Sequence, residues 1–72
     1  MVWFEITNQL AAAVVMGLSA IAAAYAIAVT GSAAAGATAE KPEVFGKVLI
    51  FVALAEALAI YGLVVALMIL MG

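Results

Sequence analysis

The residue in this sequence best suited to chemistry is a carboxyl inside an apolar run. Residues 51–70 read FVALAEALAIYGLVVALMIL, and Glu56 is the only charged residue among them. A charged carboxylate near the middle of a membrane helix costs roughly 2.5 to 3.5 kcal/mol, whereas the neutral acid costs far less. We expect Glu56 to bind and release a cation. The bound cation would neutralise the carboxylate and so permit Glu56 to enter the lipid. The alternative is a structural glutamate that faces a neighbouring helix and stays protonated.

Composition excludes most other chemistry. The 72 residues are 72% hydrophobic and contain no cysteine and no histidine, which removes disulfides, thiolate zinc sites, haem ligation and histidine catalysis. We therefore predict no catalytic residue, no metal site and no cofactor. The formal net charge of -2 offers no basic patch, so nucleic acid is not an expected partner.

The elements that must position Glu56 are two apolar runs on either side of one polar segment. Residues 39–47, AEKPEVFGK, hold the sole proline and both lysines. Each flanking run is long enough to cross a hydrocarbon layer of about 30 Å as a helix. We predict an all-α membrane protein made of one transmembrane hairpin, with helix 1 at about 5–39, a loop at about 40–43 and helix 2 at about 44–71.

The lysines also predict the orientation of this hairpin. Lys41 and Lys47 lie in or beside the loop, and no lysine or arginine flanks either terminus. Because positive residues stay inside, we expect a cytoplasmic loop and both termini on the outer side of a membrane, most simply a bacterial or archaeal plasma membrane.

Helix 1 consists mainly of residues with small side chains, and this predicts contact with more than one helix. Small residues recur at steps of four and lie all around it, and such residues let membrane helices approach closely. The stepwise set is Ala20, Ala24, Ala28, Ser32 and Gly36. Packing inside one hairpin would account for one small face; small residues on every face favour a homo-oligomeric ring of hairpins surrounded by lipid.

Glu56 and its surroundings resemble a known family. The stretch LAEALAIYGLVVALMIL, the loop EKPEVFGK and the 14-residue step from Pro42 to Glu56 are similar to the membrane-rotor proteolipid, of c-type or K-type, in vacuolar and archaeal rotary ATPases. The resemblance covers roughly residues 17–71. It implies a ring whose glutamates carry ions past a stator subunit that supplies an arginine, with central-stalk subunits at the loop. The chain itself would be non-catalytic, as one component of the ATPase complex.

The resemblance also bears on the ion and its ligands. Sodium-binding members supply a glutamine from helix 1 and a hydroxyl residue after the glutamate, whereas this chain has Ile27 and Ala57 there. We therefore favour H⁺ over Na⁺ as the transported ion. Tyr61 is the family's usual hydrogen-bond partner for the glutamate, but it lies about 140° around the helix from Glu56, so a packing role is the alternative.

Two hydroxyls of helix 1 are further candidates. Thr30 and Tyr25 are expected near the height of Glu56, and either hydroxyl could form a hydrogen bond with it. A threonine hydroxyl in a membrane helix often bonds its own backbone instead.

Two other classes of protein remain open at this point, a small multidrug transporter and a holin-like pore or structural oligomer. A rotor driven by Na⁺ is the alternative within the rotor family. A measurement of oligomer size distinguishes these classes, since a rotor predicts a uniform closed ring, a transporter a dimer and a holin a heterogeneous array.

Overall fold

The computed structural model describes residues 2–72 and consists of two antiparallel helices. Helix α1 spans Val2–Glu40 and helix α2 spans Phe45–Met71. The longest dimension is 57 Å, which matches about 1.5 Å for each residue of α1. Both helices are long and apolar enough to cross a membrane. The predicted helical hairpin is therefore confirmed.

The helix limits differ slightly from the predicted ones. Helix α1 begins three residues before the predicted position 5 and ends one residue after position 39, and α2 begins at 45 rather than 44. The early start follows from residues 2–7, VWFEIT, which contain neither proline nor glycine to interrupt a helix.

The turn between the helices is a single 3₁₀ turn, Pro42–Val44. The Lys41 amide still donates to the Ala37 carbonyl at 2.8 Å, and the Val44 amide donates to the Lys41 carbonyl at 3.0 Å. Lys41 itself is extended, with φ -136° and ψ 89°, because the ring of a following proline disfavours helical geometry. Pro42 then opens the turn, where its missing amide costs no hydrogen bond.

The two helices meet along a narrow seam. On the α2 side, the buried and half-buried residues recur at steps of three and four: Val44, Val48, Val52, Ala55, Ala59, Gly62, Ala66 and Ile69. The side chains in the middle of this seam are small, whereas valine and isoleucine lie toward its ends. The backbones can therefore approach most closely along the middle of the span, as small residues permit in membranes.

The stepwise small residues of α1 lie outside this seam. Ala20, Ala24, Ala28, Ser32 and Gly36 are all exposed, and Cβ atoms built on Gly17, Gly31 and Gly36 would meet no atom within 4 Å. Contact with α2 therefore accounts for only one face of α1.

Candidate functional site

Glu56 lies near the middle of α2, on its flank. Eleven residues separate it from Phe45 and fifteen from Met71, so it is about 17 Å from the start of the helix and about 22 Å from its end. It directly follows the buried Ala55 and is itself exposed. One residue turns a helix by about 100°, and so the carboxyl projects sideways from the seam.

The carboxyl of Glu56 has no hydrogen-bond partner within residues 2–72. Across this range, the side chains that form hydrogen bonds are those of Thr7, Asn8 and Thr30, and none of these bonds reaches Glu56. A lone hairpin in lipid would thus leave this polar group unpaired, which is costly.

The register of the helices gives the height of each candidate partner. Gly62 lies against Ser19, and six residues separate Gly62 from Glu56 just as six separate Ser19 from Tyr25. Tyr25 therefore lies level with Glu56, as expected. It is 74% exposed. Although it lies between the buried Ala23 and the half-buried Ala26 in the sequence, its own side chain is not part of the seam.

Thr30 lies closer to the turn of the hairpin than Glu56 does. Its methyl-bearing side chain lines a cavity with Val48 and Phe51, and five residues from the level of Tyr25 amount to about 7.5 Å along α1. The Thr30 hydroxyl donates to the Ala26 carbonyl at 2.7 Å, which is the alternative anticipated for a membrane threonine. The structure does not bring Thr30 and Glu56 together within one chain.

Tyr61 is on the far flank of α2 from Glu56. Ala55 and Gly62 are both buried on the same face, seven residues apart. Glu56 follows the first of them and Tyr61 precedes the second, so the two side chains turn away from the seam in opposite directions. Tyr61 is 75% exposed, and it lines a shallow outer pocket with Ala57, Ile60 and Val64. One hairpin cannot pair these two residues.

The flank that carries Glu56 is a groove with a cavity on each side of the carboxyl. Toward the loop, a cavity of about 510 Å³ reaches from Ala39 to Val52, one turn from Glu56. Toward the termini, a cavity of about 480 Å³ is lined by Leu63 and Leu67 of α2 and by Met16 of α1. Both cavities are mainly apolar, so the carboxyl lies between two surfaces that offer it no charge.

Two contacts between the helices were not anticipated from the sequence. The Asn8 amide donates to the Ile69 carbonyl at 3.5 Å, which occupies one of the free carbonyls at the end of α2. A Cβ built on Gly62 would collide with the Ser19 side chain. The motif IYGL marks Gly62 in the sequence, but its partner depends on the register of α1.

The chain matches the family model of the ATP synthase C subunit over residues 10–69. It is 42% identical over 60 residues to the c-subunit of the V-type proton ATPase of Candida tropicalis, covering 83% of this chain and 38% of that protein. It is also 42% identical over 59 residues to the 16 kDa proteolipid of the V-type proton ATPase of Ovis aries, covering 82% and 38%.

A further match is the c''2 component of the V-type proton ATPase of Arabidopsis thaliana, which is 46% identical over 54 residues, or 75% of this chain and 30% of that protein. The chain therefore spans less than two fifths of the length of these curated relatives. No solved structure matches it significantly.

Proposed function

The chain belongs to the ATP synthase C-subunit family, and we propose that it is the ion-carrying rotor proteolipid of a V/A-type rotary ATPase. In this proposal identical hairpins form a closed ring, and each Glu56 loads and releases one cation. The observation that carries the proposal is the position of Glu56: mid-span, exposed on a flank and without a hydrogen-bond partner in residues 2–72.

A neighbouring copy supplies what one hairpin lacks. Copies that stand side by side in the same orientation bring the Tyr61 flank of one against the Glu56 flank of the next. A contact of this head-to-tail kind closes into a ring when the rotation between copies permits. The Tyr61 hydroxyl of the next copy is then the hydrogen-bond partner of Glu56, and the neighbour also fills the apolar groove. Thr30 is the weaker candidate, since its proton is already donated to Ala26.

Loading controls rotation through the cost of charge in lipid. A loaded, neutral Glu56 can face the hydrocarbon, whereas a bare carboxylate cannot do so cheaply. A stator arginine would stabilise the carboxylate and displace its ion, because Lys41 and Lys47 lie near the turn and not at mid-span. Each ion that crosses 100 mV contributes about 2.3 kcal/mol, so several must cross for each ATP handled by the soluble part of the complex.

We propose H⁺ as the ion. A sodium ion needs several oxygen ligands, whereas a proton needs the carboxyl and one hydrogen-bond partner. Ala57 and Ile27, the positions where sodium-binding members would have oxygen donors, are apolar here. The proposed orientation keeps both lysines and the 3₁₀ turn on the cytoplasmic side, where central-stalk subunits would meet the loop.

The experiment that tests this function is proton transport by the assembled complex. With Glu56→Gln in every copy, we expect an intact ring and complete loss of ATP-driven proton uptake into vesicles. Glu43→Gln is the matched control, because Glu43 lies in the turn outside the hydrocarbon, and it should retain transport. Transport that survives Glu56→Gln would contradict the proposal, and so would a dimer or a heterogeneous array in place of a uniform ring.

A further inference from the structure

Gly62 lies at a close contact between the two helices. Of the six glycines, it is the only one at which an added Cβ would strike a side chain of the other helix, the Cβ and Oγ of Ser19. Gly17, Gly31, Gly36 and Gly46 have open space at the same test. The absence of a side chain at position 62 is therefore required by a specific neighbour and not by backbone conformation, since none of the six glycines has positive φ.

This contact lies beside the residues of the proposed site. Gly62 is adjacent to Tyr61 and six residues, about 9 Å, from Glu56 along α2. It is buried in the seam between Ala59 and Ala66, so it limits both how near α2 lies to α1 and how α2 is rotated about its own axis. That rotation determines the flank on which each of the two polar side chains emerges.

We propose that Gly62 and Ser19 form a positioning contact that aims Glu56 and Tyr61 at their partners in adjacent copies. The inference rests on the proposed function. An added methyl group at position 62 must either separate the helices or rotate α2, because it would overlap the Ser19 Cβ, which is fixed to the backbone of α1 and cannot move aside by a rotamer change. The Val15 carbonyl also lies 3.7 Å from the built Cβ, in ordinary van der Waals contact.

The consequence at the site is a misalignment between the Tyr61 hydroxyl of one copy and the Glu56 carboxyl of the next, while both groups remain present. A hydrogen bond between a hydroxyl and a carboxyl needs a separation of about 2.5 to 3.0 Å and fails quickly beyond it. Displacement of α2 by even about an ångström between copies would therefore weaken the hold on the loaded carboxyl. Gly62 and Ser19 touch neither the ion nor Glu56, and so their effect is indirect.

The test exchanges the side-chain sizes at positions 62 and 19 and measures the chemical labelling of Glu56. The assembled protein is treated with a carbodiimide, which attacks protonated carboxyls in apolar sites, and the rate of Glu56 modification is measured at one pH. We expect Gly62→Ala to change this rate severalfold, because it creates a collision. Ser19→Gly removes one side of the contact without a collision and should change the rate less, and the double variant should return it toward the rate of the unaltered chain. Gly46→Ala is the control for the same chemical change at an open position.

Each result decides the inference. Unchanged labelling in assembled Gly62→Ala would overturn it, and so would a double variant whose labelling is no closer to that of the unaltered chain than the labelling of Gly62→Ala. If Gly62→Ala fails to assemble, the double variant still decides, since only relief of the Ser19 collision should recover both assembly and labelling. The unaltered chain in the same experiment tests the proposed function separately, because an unreactive Glu56 there would refute the ion site itself.

Discussion

Glu56 is exposed and has no hydrogen-bond partner among residues 2–72, yet the sequence places it at mid-span. This combination makes its behaviour depend on what lies beside the chain. The residue was predictable because a lone carboxyl in an apolar run has few other uses. The family resemblance named Tyr61 as its hydrogen-bond partner. In the structure the two side chains lie on opposite flanks of α2, so the proposed pairing requires a second copy.

The proposed pairing of Glu56 with Tyr61 predicts the effect of a single hydroxyl. Tyr61→Phe should slow proton transport by about two- to tenfold, the loss expected for a hydrogen bond of about 0.5 to 1.5 kcal/mol. Tyr25→Phe is the matched control, because Tyr25 is equally exposed, at 74% against 75% for Tyr61, and lies level with Glu56. Initial rates in vesicles that contain each variant complex measure the difference. Equal rates for the two variants would contradict a special role for Tyr61.

At the scale of the elements, the turn and the seam have different degrees of predictability. Pro42 and the two lysines mark the turn in the sequence, because proline and charge both interrupt an apolar helix. The contacts Gly62 with Ser19 and Asn8 with Ile69 require the register of α1 against α2. That register results from many small residues acting together, and no local pattern in either helix encodes it.

The contact of Asn8 with the end of α2 predicts a local change in stability. Asn8→Ala should weaken the end of the hairpin opposite the turn by about 0.6 kcal/mol, the average for a hydrogen bond between membrane helices. Faster amide hydrogen exchange in the last turn of α2 should report it, while exchange near the 3₁₀ turn stays the same. Gln9→Ala supplies the control, since Gln9 is exposed and makes no side-chain hydrogen bond within residues 2–72. Equal exchange in both variants would show that the Asn8 contact does not stabilise the hairpin.

At the scale of the whole molecule, the hairpin exposes more small side chains than the contact between its two helices requires. The exposed face of α1 that contains Ala24 and Ala28 is unused by α2, and we interpret it as the surface where copies approach one another. A single chain is 57 Å long and only one helix thick, about 10 to 12 Å with side chains, so side-by-side assembly is how such a molecule buries its flanks.

Bulk on that face should disturb the assembly and leave the hairpin intact. Ala28→Leu is expected to reduce or abolish the uniform oligomer seen by native mass spectrometry in mild detergent, because a larger side chain prevents close approach of the helices. Helix content by circular dichroism should not change. Val64→Leu adds bulk on the side of α2 opposite the seam, about 180° around the helix from the buried Ala55, where lipid is expected, and should be tolerated. Assembly of Ala28→Leu identical to that of the unaltered chain would argue against this surface.

The orientation across the membrane can be tested with single cysteines, because the chain has none of its own. Gly46→Cys, beside the turn, should react with a membrane-impermeant maleimide only from the cytoplasmic side. Glu5→Cys, near the start of α1, should react only from the outside. The reverse pattern would show that two lysines are too few to set the orientation by the positive-inside rule.

The most direct test of the central claim, that Glu56 loads a cation in an apolar site, is carbodiimide labelling of the assembled protein across pH, with and without sodium. Mass spectrometry locates the adduct. We predict modification at Glu56 alone, decreasing as pH rises because the reagent requires a protonated carboxyl, and unaffected by sodium. Protection by sodium would contradict the assignment of H⁺. An unlabelled Glu56 beside reactive Glu5, Glu40 or Glu43 would contradict the ion site and leave a structural hairpin.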